Sequence, residues 1–143
     1  MQVDRVTQIG GGSSALIMTL SNESFGLGLD LFNRGQYFEA HEALEDVWRA
    51  LPRDSPSRRR FRLHLQGLIQ LAVAFHHYST GNLVGARSVL ARALRNLRGA
   101  ERSFPDLDFE KLRAELVDWQ RHLSGADLRP QSVHISFKVR ASS

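Results

Sequence analysis

Residues 63–75 read LHLQGLIQLAVAF, and this stretch decides the fold of the 143-residue chain. If its side chains are placed at 100° per residue, the apolar ones point in nearly every direction. Leu65, Leu68 and Leu71 represent three of these directions. Because a helix that is apolar all round is a buried helix, we predict a central core helix over residues 57–79.

Shorter amphipathic patterns on both sides of this segment predict further helices. One ends near Gly35, and others cover residues 37–50, about 82–100 and 108–123. Asp108 is placed to cap the last of them. The predicted fold is therefore an all-α, single-domain bundle of about five helices packed around a buried central helix.

The two ends of the chain carry different patterns. Residues 1–20 contain the run GGGSS at positions 10–14, and glycine and serine hold regular structure poorly, so we predict a flexible leader there. Residues 21–128 form the predicted helical bundle domain. Residues 129–143 alternate apolar and polar positions and predict an extended C-terminal tail that lies over the bundle.

A faint internal repeat runs through the helices. Its first copy is Gly35, Ala40, Leu44 and Trp48, and its second copy is Gly81, Ala86, Leu90 and Leu94. The pattern is similar to that of helical-hairpin repeats such as the tetratricopeptide, although the spacing of 46 residues differs from the period of that repeat.

Composition narrows the classes of function. The chain has no cysteine, which excludes disulfides, thiolate ligands and cysteine nucleophiles and fits a reducing compartment. No apolar run approaches the roughly 20 residues that cross a bilayer, so we predict a cytoplasmic protein without a membrane partner. The net charge is +4, but the arginines are spread along the chain without interleaved aromatic residues. We therefore expect solvated charged faces, as at residues 58–62 and along the fourth helix, and no nucleic-acid binding.

Polar side chains interrupt the central helix. Gln66, Gln70 and His77 project within about 40° of one another, and buried polar groups need partners. On the preceding helix His41 and Glu45 are four residues apart and share a face. Two imidazoles and one carboxylate suit zinc or iron, with coordination positions left open for water. We therefore predict His41, Glu45 and His77 as metal ligands.

The remaining polar residues complete this hypothetical site. Glu42 is the predicted catalytic general base, and Gln70 and Gln66 are predicted to bind and orient a cofactor or substrate. Structural interpretations stay open beside these roles. A hydrogen bond from His41 to Gln70 or Glu45 would be an ordinary satisfied pair, and Glu45 could form an ion pair with Arg49.

Two blocks of the sequence resemble a known family. The run FNRGQYFEAHEALEDVW at residues 32–48 and the block GLIQLAVA at 67–74, followed by His77 and Gly81-Asn82, are similar to the domain of unknown function 309. The resemblance covers residues 32 to about 98 and implies a small helical bundle. Members have been described as predicted metal-dependent hydrolases. The positions that match the family pattern are Glu39, His41, Glu42, Glu45, Trp48, Gln70 and His77.

Two functional hypotheses follow from these observations. The first is a metal-binding protein with metal-dependent hydrolase activity on a small substrate. The second is a non-catalytic helical-hairpin interaction module, in which the same His, Glu and Gln residues form a structural hydrogen-bond network. The partner is accordingly a small molecule or a protein, and self-association into a homo-oligomer is left open.

Overall fold

The computed structural model describes residues 10–52, 55–126 and 128–139 of the chain, and in these residues the fold is all-α, as predicted. The helices are α1 (Gly10–Asn33), α2 (Tyr37–Ala50), α3 (Pro56–Ser79), α4 (Leu83–Asn96) and α5 (Phe109–Leu123), with a 3₁₀ turn at Ala100–Arg102. Within the described ranges the β-type pairing is one isolated antiparallel bridge between Leu107 and Phe137.

Helix α3 is the central helix, as its sequence predicts. Its side chains Leu65, Leu68 and Leu71 are completely buried, and it packs against α2 on one side and α4 on the other. The helix begins where the sequence favours a start: the Ser55 hydroxyl accepts a hydrogen bond from the Arg58 backbone N–H at 3.2 Å, and Pro56 occupies the first turn. The predicted start and end of this helix are confirmed.

The predicted repeat is visible as two helical hairpins with the same turn. Gly35 ends the α1–α2 turn with φ of 79°, and Gly81 occupies the equivalent place between α3 and α4 with φ of 85°. The Gln36 N–H donates to the Leu31 carbonyl at 2.9 Å, and the Asn82 N–H donates to the His77 carbonyl at 2.8 Å. Glycine is favoured at both turns because positive φ is costly for residues with a Cβ atom.

The C-terminal segment is held by specific hydrogen bonds. Asn33, the last residue of α1, donates to the Ile135 carbonyl at 2.9 Å and accepts from the Ile135 N–H at 2.7 Å. Trp119 of α5 donates its indole N–H to the Gln131 carbonyl at 3.0 Å. Val133 and Ile135 are buried, which agrees with the predicted segment lying over the bundle, whereas Phe137 stays exposed.

Two predicted boundaries were wrong. Helix α1 begins at Gly10 and not near Ser21, and good helix formers such as Ala15 and Leu16 follow the glycine and serine run. The first nine residues of the predicted leader lie outside the described residues. Helix α4 ends at Asn96 and not near Ala100, since the chain turns at Gly99 with φ of 73° before the 3₁₀ turn.

Candidate functional site

The histidine and glutamate predicted on α2 do form a pair. The Nε2 atom of His41 lies 3.1 Å from an Oε atom of Glu45. The other Glu45 oxygen accepts a hydrogen bond from Arg49 at 2.8 Å, and Arg49 also contacts Asp46 at 3.1 Å. Both Glu45 oxygens are thus occupied by side chains of the same helix, as in the structural interpretation of this pair.

The polar stripe on α3 faces α4, away from the pair on α2. Gln70 accepts a hydrogen bond from Asn96 of α4 at 2.8 Å, and the Nδ1 atom of His77 lies 3.3 Å from the Asn82 side chain that precedes α4. Gly67, which lies between Gln66 and Gln70 in sequence, packs closely against the end of α4, since a Cβ atom there would lie 2.7 Å from Leu97 Cγ. The prediction that the stripe lies opposite His41 and Glu45 was therefore wrong.

The predicted metal and catalytic set is consequently not assembled. His41 and Glu45 come together, but His77 is directed to the other neighbour of α3. In the ranges that the structure describes, no group of three His, Asp or Glu side chains is placed to hold a metal ion. The remaining two members, Glu42 and Gln66, are both exposed on helix surfaces. The residues present do not fit the predicted three-ligand centre.

The neighbouring histidine, His76, is the one that faces α2. Its ring centre lies 5.5 Å from that of Phe38, which in turn lies 6.0 Å from that of His41. Phe38 is about half exposed, at 48%. These three rings form an aromatic surface row.

His64 is a satisfied core histidine. It is 3% exposed, with Nε2 3.0 Å from the Arg98 carbonyl and Nδ1 2.6 Å from the Ser103 hydroxyl. Because a carbonyl can only accept, Nε2 carries the proton and Nδ1 accepts from Ser103. Burial is the main cause that lowers the pKa of His64 below 6.5, and the charges of Arg60 and Arg102 act in the same direction.

Arg62 departs from the predicted solvated arginine face. Its guanidinium is buried over the indole of Trp48 at 3.8 Å, and it donates hydrogen bonds to the carbonyls of Trp48 and Leu51 at 2.7 and 3.1 Å. These contacts tie the end of α2 to the beginning of α3. Trp48, which is part of the family pattern, therefore has a structural partner. Arg59 and Arg60 are exposed, as predicted for a solvated face.

A concave site that the sequence analysis missed lies at the turn between α3 and α4, at the opposite end of α3 from Arg62. We call it the aromatic cleft. It encloses about 540 Å³, and it is formed where α2 begins, α3 ends, α4 begins and α5 ends, with the C-terminal segment as its last wall. The lining residues are Tyr37, Phe75, Tyr78, Ser79, Gly81, Leu83, Trp119, His122, Arg129 and Ser132.

Aromatic rings form the floor of the cleft. Phe75 and Trp119 are buried and meet edge to face with ring centres 5.1 Å apart. Tyr37 lies 5.6 Å from Phe75, and Tyr78 lies 4.9 Å from Trp119. These contacts fix the four rings relative to one another, so the floor is preformed.

Few polar groups accompany these rings. The guanidinium of Arg129 lies 5.2 Å from the ring centre of Tyr78 and 5.9 Å from that of Trp119. His122 donates from Nδ1 to the Ala126 carbonyl at 3.1 Å, and its Nε2 atom forms a hydrogen bond with the Tyr78 hydroxyl, also at 3.1 Å. Burial raises the pKa of Tyr37, and the charge of Arg129 opposes that rise. The cleft therefore combines apolar rings, hydroxyl groups and one cation.

The cleft could not be found from periodicity because its residues come from four helices and the C-terminal segment.

Comparison with known proteins shows that part of this chain is similar to an uncharacterised family. Residues 25–89 match the family model of a domain of unknown function, DUF309, which confirms the resemblance inferred from the sequence. Two similar proteins are both described as uncharacterised. YpuF of Bacillus subtilis strain 168 is 38% identical over 74 residues, which are 52% of this chain and 40% of that protein. A protein of Aquifex aeolicus strain VF5 is 31% identical over 87 residues, which are 61% of this chain and 25% of that protein. The matches thus span less than half the length of either relative.

A search for membrane spans found, among the described residues, no helix that is both long and apolar enough to cross a bilayer. The cytoplasmic location and the question of self-association stay predictions.

Proposed function

We propose that this protein is a non-catalytic binding module and that the aromatic cleft is its ligand site. The observation that carries the proposal is the cleft itself: a preformed aromatic floor, a small number of polar groups and one cation in about 540 Å³. Small-molecule sites are of this order of size and also combine aromatic walls with oriented polar groups.

The positions of the other polar residues support the same conclusion. Gln70 is bonded to Asn96, and His64 is bonded to Ser103 and Arg98. Satisfied hydrogen bonds of this kind fix the relative positions of helices, and their energetic value lies in not leaving buried groups unpaired. The interaction-module hypothesis assigns these residues that structural role.

The metal-dependent hydrolase hypothesis has less support. Under this hypothesis His41 and Glu45 would still bind zinc or iron. However, Glu45 already binds Arg49, and His77 lies on the other side of α3. Metal analysis of untagged protein decides this point. We expect substoichiometric zinc and iron that do not change in the His41→Ala variant. One equivalent of metal that is lost in this variant would restore the hydrolase hypothesis.

The cleft is tested by a fragment screen that uses two-dimensional NMR of the labelled protein with neutral and charged aromatic fragments. We expect that the fragments which bind will shift signals of Tyr37, Tyr78 and Trp119. The matched variants are Leu83→Glu and Val84→Glu, because both residues are exposed in the first turn of α4 but only Leu83 lines the cleft. A carboxylate is tolerated in the first turn of a helix, so both variants should fold.

The expected result is that Leu83→Glu weakens the binding of fragments and Val84→Glu does not. Shifts that are scattered over the surface, or that respond equally to both variants, would contradict the assignment of the cleft as the ligand site.

A further inference from the structure

We propose that the aromatic cleft binds a small planar aromatic monocarboxylate, with its ring on the aromatic floor and its carboxylate at Arg129. This inference rests on the proposed function, because it names the class of ligand for the same site.

The charge of the cleft favours a ligand with one anionic group. None of its lining residues is acidic, and among the described residues Arg129 forms no salt bridge with a carboxylate. Two helices begin and two end around the cleft, so their dipoles do not select a sign. One uncompensated guanidinium matches a carboxylate better than a doubly charged phosphate.

The donors of the cleft fit a carboxylate. A guanidinium can bind the two oxygens of a carboxylate through parallel N–H groups. The Tyr37 hydroxyl makes no hydrogen bond to any side chain or backbone group that the structure describes, and it lies within the electrostatic reach of Arg129. It is therefore available as a further donor to the same anion.

The shape of the cleft favours a flat ring. Phe75 and Trp119 are buried at the floor, whereas Leu83, Arg129 and Ser132 are exposed at the rim. A ligand that enters from solvent thus meets the Arg129 guanidinium, which lies over Tyr78 and Trp119, and the partly exposed rings of Tyr37 and Tyr78. Offset-stacked and edge-to-face contacts with these rings reward a planar aromatic group beyond simple burial of area.

The experiment compares three probes that differ in one property each: phenylacetate, phenylacetamide and cyclohexylacetate. The amide removes the charge and keeps the ring, and the cyclohexyl acid keeps the charge and removes the planarity. Affinities are measured by NMR titration at constant ionic strength, following the signals of Tyr37, Tyr78 and Trp119. We expect phenylacetate to bind about tenfold more tightly than phenylacetamide, because hydrogen bonds to a charged group are the stronger ones. We also expect phenylacetate to bind more tightly than cyclohexylacetate.

Two arginine variants assign the anion contact. Arg129→Gln should remove the preference for the acid over the amide. Arg121→Gln should leave that preference unchanged, because Arg121 is exposed on α5, contacts Asp118 at 3.5 Å and does not line the cleft. Arg129 lies in an exposed segment outside the helices, so its variant should fold, and the dispersion of the NMR spectrum checks this.

The outcomes separate this inference from the proposed function. Equal binding of phenylacetate and phenylacetamide would overturn the anionic class, and equal binding of cyclohexylacetate would overturn the aromatic class. In both cases the cleft would still be a ligand site. If neither these probes nor the screened fragments shift cleft residues, the proposed function fails as well.

Discussion

Alanine substitutions at two glycines of α1 test how closely the first hairpin packs. A Cβ atom built on Gly28 would lie 2.6 Å from Leu44 Cδ2 and 2.7 Å from Leu44 Cγ, whereas a Cβ atom on Gly26 would meet nothing within 4 Å. Both glycines lie inside α1, so alanine gains the same intrinsic helix propensity, about 1 kcal/mol, at either position. The two variants therefore differ only in the contact with Leu44.

The expected magnitudes follow from these distances. Gly26→Ala should stabilise the protein by about 0.5–1 kcal/mol. At Gly28 the same gain is opposed by an overpacking cost of about 1–3 kcal/mol, since Leu44 is completely buried and cannot turn away. We expect Gly28→Ala to be less stable than Gly26→Ala by about 1–3 kcal/mol.

Urea denaturation followed by circular dichroism measures both variants against the unchanged chain, and equal m-values show that the comparison is valid. Gly67→Ala repeats the test on the second hairpin, where the added Cβ would lie 2.7 Å from Leu97 Cγ. If Gly28→Ala and Gly26→Ala stabilise the protein equally, α1 and α2 do not approach each other as described and the hairpin reasoning is refuted.

Three further predictions concern polar groups. The free energy of unfolding should fall as the pH drops below about 6.5, because the fold lowers the pKa of His64 and the unfolded chain then binds the proton more readily. Denaturation experiments at several pH values check this. A His64→Gln variant should lose this pH dependence. Arg113 lowers the pKa of Glu101 to about 2, so this ion pair adds stability above pH 4.5 that is lost as the pH falls from there towards 2. In a Glu101→Gln variant the free energy of unfolding should depend less on pH in that range. An unchanged pH dependence would argue against the pair. Gln70→Leu should cost about 1 kcal/mol in denaturation experiments because Asn96 loses its hydrogen-bond acceptor, whereas a stability unchanged in this variant would mean that the bond contributes nothing.

Much of the fold could be predicted because local signals were strong. The stretch around Leu68 and Leu71 is too apolar for a surface helix, and Gly81-Asn82 and Asp108 mark helix ends by turn and side-chain capping chemistry. The Asp108 carboxylate accepts from the Lys111 N–H at 3.0 Å, as a helix cap should. These features depend on residues close together in sequence.

The candidate site could not be predicted in the same way. A helix that is apolar all round has no single inner face, so the pattern does not say which neighbour Gln70 and His77 will meet. That choice depends on tertiary contacts such as the one between Gly67 and Leu97, thirty residues further on. The aromatic cleft depends on still more distant pairs, since it joins Tyr37 to Arg129.

Some residues that line the cleft lie inside the range that matches the family model, and others lie after it. Tyr37, Phe75 and Tyr78 lie inside the matched residues 25–89, whereas Trp119 and Arg129 lie after them. A related protein could therefore inherit the paired hairpins and close them with a different downstream sequence. Similarity over the matched residues alone would then not carry over the ligand preference, because Trp119 and Arg129 lie outside them.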